Sequence, residues 1–132
     1  MAKNVNRDHL NRLSSQVIGA AIEMHRIMGP GLLESVYQEC LIDELELRGV
    51  TAAQQVESPL YYKGKLLRDR YWMDVVVEES LLVEIKAVES LAPIHEAQVL
   101  TYLRLSEFPL GLLINFNSTT LIKGLRRLVH RF

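Results

Sequence analysis

Cysteine is almost absent from this chain: Cys40 stands alone, so no internal disulfide can form and a reducing cytoplasm is the natural setting. Cys40 falls among apolar residues in a helical pattern with no cation beside it, which suits a packed thiol rather than a nucleophile. Long apolar runs are missing too. No stretch approaches the roughly 20 residues that span a bilayer, and no membrane association is expected. Met1 to Asp8 carries basic residues with no apolar segment behind them that would make a signal peptide. A dominant charge is also lacking, since the net value is −1. Bulk electrostatics therefore do not mark a nucleic-acid binder. Repeats, low-complexity tracts, interdomain linkers, an obvious recognition insert or arm, and a strongly basic surface are not apparent either.

What is present is a chain of 132 residues, 48% hydrophobic and 23% charged, which suits one globular domain over 1–132 with one core. The charge is uneven. Residues 1–60 hold five Lys/Arg against eight Asp/Glu, and residues 61–132 hold ten against eight. Lys63, Lys65, Arg68 and Arg70 fall together, as do Arg126, Arg127 and Arg131. Either group can meet phosphates or can simply be a solvated face.

Leu10, Leu13, Val17, Ala20, Ala21, Met24 and Met28 recur at helical spacing, giving a helix from Asp8, its N-cap, to Met28. Gly29-Pro30-Gly31 ends it. A second helix runs from Leu32 to Arg48 and stops at Gly49. Gln54 to Tyr62 then reads as a strand, Lys63-Gly64 as a turn, and Lys65 to Val77 as a longer strand. Glu78-Glu79-Ser80 turns into a third strand, Leu81 to Val88. Pro93 opens a helix running to Ser106, and Leu110 to Phe116 is an apolar strand covered on both faces. The tail from Thr119 to His130 is open between helix and strand, with an edge strand preferred. The class is α/β.

The middle hairpin carries the chemistry. Side chains in a strand alternate between faces, so Met73, Val75 and Val77, with Leu81, Val83, Ile85 and Ala87, make one apolar face. The other face carries Asp74, Glu84 and Lys86. With the three-residue loop, position i meets position 158 − i, which sets Asp74 opposite Glu84 and Val75 opposite Val83. A two-residue loop would mix the apolar and charged faces, so the pattern selects the odd loop. Paired Cβ atoms then stand about 4.5–5.5 Å apart. Two adjacent carboxylates repel unless neutralised. Lys86 supplies one charge, and a divalent ion with oxygen ligands, Mg²⁺ or Mn²⁺, would supply two. The plainer alternative is a cross-strand salt bridge from Lys86 to either acid.

The run Gly31-Leu32-Leu33-Glu34-Ser35-Val36-Tyr37 resembles the motif naming the GxxExxY family, a branch of the PD-(D/E)XK nuclease superfamily. The likeness continues through Met24-His25-Arg26, Tyr62-Lys63-Gly64, Asp74 and Glu84-Ile85-Lys86. It extends to His95-Glu96-Ala97-Gln98-Val99-Leu100-Thr101-Tyr102 and Leu112-Leu113-Ile114-Asn115-Phe116. It implies a restriction-endonuclease-like αβββαβ core, a mixed four-stranded sheet flanked by helices, here with an extra N-terminal helix. It also implies Mg²⁺- or Mn²⁺-dependent cleavage of DNA or RNA. Asp74 and Glu84 match the metal-binding acids, Lys86 the motif lysine, and Glu34 an acid from the preceding helix that ligates or orients. Gln98 and Tyr102 match the polar pair on the following helix. Met73 stands where the motif has proline.

Each supporting residue has a second reading. Glu34 lies in a first helical turn, where the dipole favours any carboxylate, yet it shares a face with Tyr37 and Leu41 that points it inward. Tyr37 reads as core with its hydroxyl tied to a neighbour. Gln98 and Tyr102 either reach Lys86 or a phosphate, or bond each other. Trp72 either walls the site or packs under a loop. His25 caps helix carbonyls. The alternative to a nuclease is a non-catalytic nucleic-acid- or protein-binding or assembly module on the same fold. The hydrophobic fraction of so short a chain points to apolar surface left uncovered, hence to a homodimer.

Overall fold

Helix α1 (Arg7–Met28) begins where Asn6 accepts the main-chain N–H groups of Asp8 and His9 at 2.8 and 3.2 Å, so Asn6 rather than Asp8 is its cap. It ends where Gly29 takes φ 72°, with the Gly29 N–H on the His25 carbonyl. Helix α2 is Glu34–Leu47, two residues shorter at its start than the pattern suggested. Strands β1 (Ala52–Tyr62), β2 (Lys65–Val77) and β3 (Leu81–Lys86) follow, then α3 (Pro93–Ser106), β4 (Leu110–Asn115), a 3₁₀ turn at Ile122–Gly124, and β5 (Leu125–Val129). The computed structural model describes residues 6–132, so the absence of a signal segment was read partly from residues 1–5, which lie outside the described residues.

The sheet is mixed, in the order β1-β2-β3-β4-β5. Only β3 and β4 are parallel, joined through α3 with Val83 beside Leu112 and Lys86 beside Asn115. It has five strands rather than four, because the tail folds back antiparallel on β4 as an edge strand. Helices cover both faces. Leu10, Leu13, Val17, Tyr37 and Leu41 of α1 and α2 pack with Val75, Val83, Ile85 and Leu112. Val99 and Leu103 of α3 pack with Val76, Leu82 and Leu113 on the opposite face. Gly111 permits that second contact, since a Cβ there would meet Val99 Cγ1 at 3.0 Å. No helix among the described residues is long and apolar enough to cross a membrane.

Two expectations about β2 are corrected. Met73 does not share the α1–α2 face with Val75 and Val77; it packs on the α3 side with Tyr71 and Val76. The alternation slips because Gln55 has φ 48° and the Gln55–Asp74 position drops out of the β1–β2 ladder, between Gln54–Val75 and Val56–Met73. Period-two reasoning assumes an unbroken pleat, and here the pleat is broken. The second correction concerns reach. β3 pairs with Val75–Val77 of β2, so, among the described residues, residues 65–73 have β1 as their sole strand partner and form a two-stranded arm.

Candidate active site

The β2–β3 ladder joins Val77 to Leu81, Val76 to Leu82 and Val75 to Val83, the i to 158 − i register. It then stops. At the next position side chains replace main-chain carbonyls as acceptors. The Asp74 N–H donates to Glu84 Oε2 at 2.8 Å, and the Ile85 N–H donates to Asp74 Oδ2 at 2.8 Å. Main-chain amides at a closing sheet must find acceptors. By supplying them, the two acids let the strands part without leaving either amide unpaired, and they lock each other's position.

Glu84 is 3% exposed. Burial first, and then the adjacent Asp74 charge, push its carboxyl up to about 8, against the pull of the Asp74 amide and of Lys86, with Glu34 adding to the rise. Asp74 and Lys86 are half-buried. Lys86 is in no ion pair among the described residues. The expected alternative of a cross-strand salt bridge is therefore not formed, and the ammonium acts on Glu84 only through space.

Around Asp74 lies an open depression of about 560 Å³, with Glu34, Ser35, Gln38 and Glu39 of α2 on one wall and Gln54 and Gln55 on the other. Glu34 is exposed on its rim, which corrects the inward-pointing expectation. Its helix starts too late to turn it under. Its position is fixed by the motif tyrosine: the Tyr37 hydroxyl donates to the Gly29 carbonyl at 2.6 Å and accepts the Leu32 N–H at 3.1 Å. The Tyr37 ring stacks on Phe116 with centroids 4.9 Å apart, and the Gly31 N–H donates to Asn117 Oδ1. The turn before α2 is thus held from three directions, and Glu34 follows it rigidly.

Gln98 and Tyr102 lie on the α3 side and do not line that depression. Gln98 Nε2 donates to the Tyr102 hydroxyl at 3.2 Å, so they bond each other. Tyr102 also packs on Tyr71, with centroids 4.8 Å apart. The Tyr102 hydroxyl is held above its ordinary value by burial first, and then by the Glu84 and Asp74 charges. Tyr102 is thus close enough to feel both acids, from the α3 face toward which Leu82 and Glu84 alternate on β3. His95 caps α3 instead, accepting the Ala92 N–H at 2.9 Å, and His25 is buried against the Phe116 carbonyl at 3.0 Å. Trp72 neither walls the depression nor packs under a loop; it is 49% exposed.

Two groups escaped the sequence reading. A relay of amides joins α2 to Asp74: Gln55 Nε2 donates to Gln38 Oε1 at 2.9 Å and to Asp74 Oδ1 at 3.2 Å, while Gln38 donates to Gln54. Asn115 clasps Val88 through both main-chain groups at 3.0 and 2.9 Å, which ends β3 just past Lys86. The paired Gln54-Gln55 in a strand was the available signal for the relay.

The donors suit an oxygen-preferring ion. A buried carboxyl that retains its proton to about pH 8 beside a second acid lacks counter-charge, and a divalent ion would supply it. No three His, Cys, Asp or Glu among the described residues are grouped to hold a metal. Mg²⁺, which commonly takes one or two carboxylates and keeps several waters, fits two acids and an open side. A family model described as the PD-(D/E)XK nuclease superfamily matches residues 11–128. Neither the curated proteins nor the solved structures contain a match.

Proposed function

The chain belongs to the PD-(D/E)XK nuclease superfamily, and from that premise we propose that it hydrolyses phosphodiester bonds in DNA or RNA with Mg²⁺ or Mn²⁺ held by Asp74 and Glu84. Divalent metals and nucleic-acid substrates are general to the superfamily. The observation that carries the finer reading is the crossed pair, in which each carboxylate accepts the amide of the opposite strand. When bound, the ion would polarise the phosphodiester and acidify a water.

The chain's own residues do the rest. Glu84 would hold the ion as a carboxylate, having lost its proton. Asp74, steadied by Gln55, keeps its orientation. Lys86, with no acid to neutralise it, offsets negative charge developing on the phosphoryl oxygens. Glu34 on the rim would orient a water of the ion, and Gln98 and Tyr102 restrain Glu84 from the α3 side. Residues 1–132 act as one domain of the GxxExxY branch, working in the cytoplasm, with a second copy to help grip the substrate.

Labelled single strands and duplexes of DNA and RNA, incubated with Mg²⁺, Mn²⁺ or Ca²⁺, test the reading. Cleavage is expected with the first two and not with Ca²⁺, whose looser geometry activates water poorly. No cleavage of any substrate, together with no metal binding, would favour the non-catalytic module.

A further inference from the structure

The two-stranded arm is unlike the rest of the sheet. Val56, Leu60, Tyr71 and Met73 turn one of its faces onto the α3 side of the core. Among the described residues nothing packs over the opposite face. Cross-strand pairing sets Glu57 beside Trp72, Pro59 beside Arg70 and Tyr61 beside Leu66. On that face Trp72 and Leu66 are each 49% exposed and Tyr61 is 62% exposed. The register shifts between Pro59 and Tyr61, and Arg70 Nη1 gathers the Leu67, Arg68 and Asp69 carbonyls of the resulting bulge. Arg70 also pairs with Glu57 at 3.6 Å. The bulge is therefore braced, and the aromatic face is presented by a built structure.

Charge complements the rings. Within the arm Lys63, Lys65, Arg68 and Arg70 face only Glu57 and Asp69. Lys63, Lys65 and Arg68 are exposed at the tip and form no ion pair among the described residues. The arm also ends at the candidate site, since Met73 is followed directly by Asp74 on β2 and Gln55 of β1 donates to Asp74 Oδ1 at 3.2 Å.

We propose that the outer face of this arm is a stacking platform for an unpaired nucleic-acid strand, which it leads toward Asp74 and Glu84. The nucleic-acid class rests on the nuclease reading above; the preference for an unpaired strand rests on the arm. Open aromatic rings bind bases whose faces are free, whatever their sequence, while clustered cations follow the phosphates. In a duplex the base faces are already covered by their neighbours, so the rings would go unused.

Trp72 is the single tryptophan, so its fluorescence reports the platform directly. The 132-residue chain in EDTA, where no cleavage is needed, is titrated with single-stranded deoxy- and ribo-oligonucleotides and with a duplex of the same sequence. Single strands should quench Trp72, and the ribo and deoxy arms show whether the 2′-hydroxyl matters. The duplex should leave Trp72 unquenched. Tyr61→Ala should weaken single-strand binding roughly tenfold, with Tyr61→Phe restoring it. Lys63→Ala with Lys65→Ala should weaken binding and flatten its salt dependence. These residues are exposed, so the melting temperature should be retained in each variant. Unchanged fluorescence with single strands, or equal quenching by duplex, overturns the proposal. So does quenching that follows protein concentration alone, which would make the face an interface between copies. Quenching without Mg²⁺- or Mn²⁺-dependent cleavage would sink the catalytic reading and leave the platform standing; cleavage without quenching would do the reverse.

Discussion

The two halves of β2 follow different rules. From Val75 to Val77 the strand pairs on both sides, lies between helices and is almost inaccessible. From Lys65 to Met73 it pairs only with β1 and shows solvent a tryptophan, a leucine and a run of cations. Asp74 stands at the junction, where the pleat breaks and the β2–β3 ladder ends. A carboxylate pair needs that junction. Deeper in the sheet main-chain bonds would keep the strands closed, and farther out there is no β3 to supply Glu84. The proposed active site thus lies at the boundary between a half of β2 that is paired on both sides and a half paired with β1.

The largest effect that sharpens this contrast is on stability. Leu82→Ala, beside Val76 in the closed half, should cost about 2–5 kcal/mol by urea unfolding, whereas Leu66→Ala on the arm should stay within about 0.5 kcal/mol. Comparable losses would break the comparison. Next comes turnover. Lys86→Ala should lower cleavage by roughly 10²–10³-fold, as for the loss of one group that stabilises transition-state charge. It should leave the fold intact, since Lys86 forms no ion pair among the described residues. A destabilised but active variant would return Lys86 to a structural role.

Third is pH. In the metal-free protein Glu84 holds its proton to about pH 8, against 4.5 when unperturbed. The folded state then binds more protons than the unfolded chain through that window. The stability from this group is full below 4.5 and is lost as pH rises to about 8, by at most about 1.4 kcal/mol per pH unit. Glu84→Gln should remove that slope, as read from unfolding curves across the range. The smallest effect is at Asp74. Asp74→Asn keeps an acceptor for the Ile85 N–H and removes the charge facing Glu84, so metal-free stability near pH 8 should rise by about 1 kcal/mol. A strong loss there would make Asp74 a paired structural acid.

How legible this boundary was depended on which physical signal carried it. The apolar alternation of Val75, Val77, Leu81 and Val83 determined the β2–β3 register, because a slip of one residue would have buried charge. The order of elements followed from similar patterning, whereas the tail stayed open between helix and strand and folds as a 3₁₀ turn and the preferred edge strand. The break at Asp74 was hidden, since a positive φ at Gln55 leaves no mark in a residue other than glycine. The arm was hidden too. Lys65 to Val77 reads as one strand, and only tertiary pairing reveals that β3 accompanies just its end. Glu34 was misjudged for a related reason: helical spacing placed it on the Tyr37 face, but its place at the first turn leaves it on the rim.

The claim that Asp74 and Glu84 together form a divalent-ion site is tested most directly by titrating the protein with Mn²⁺ in a calorimeter, in buffers of different ionisation enthalpy. Near pH 6, where the Glu84 carboxyl is still protonated, binding should release about one proton per ion. The release should fade above pH 8 and disappear with binding itself in Glu84→Gln. Mn²⁺ that fails to bind, or that binds equally well and without proton release when Glu84 is replaced, would contradict it.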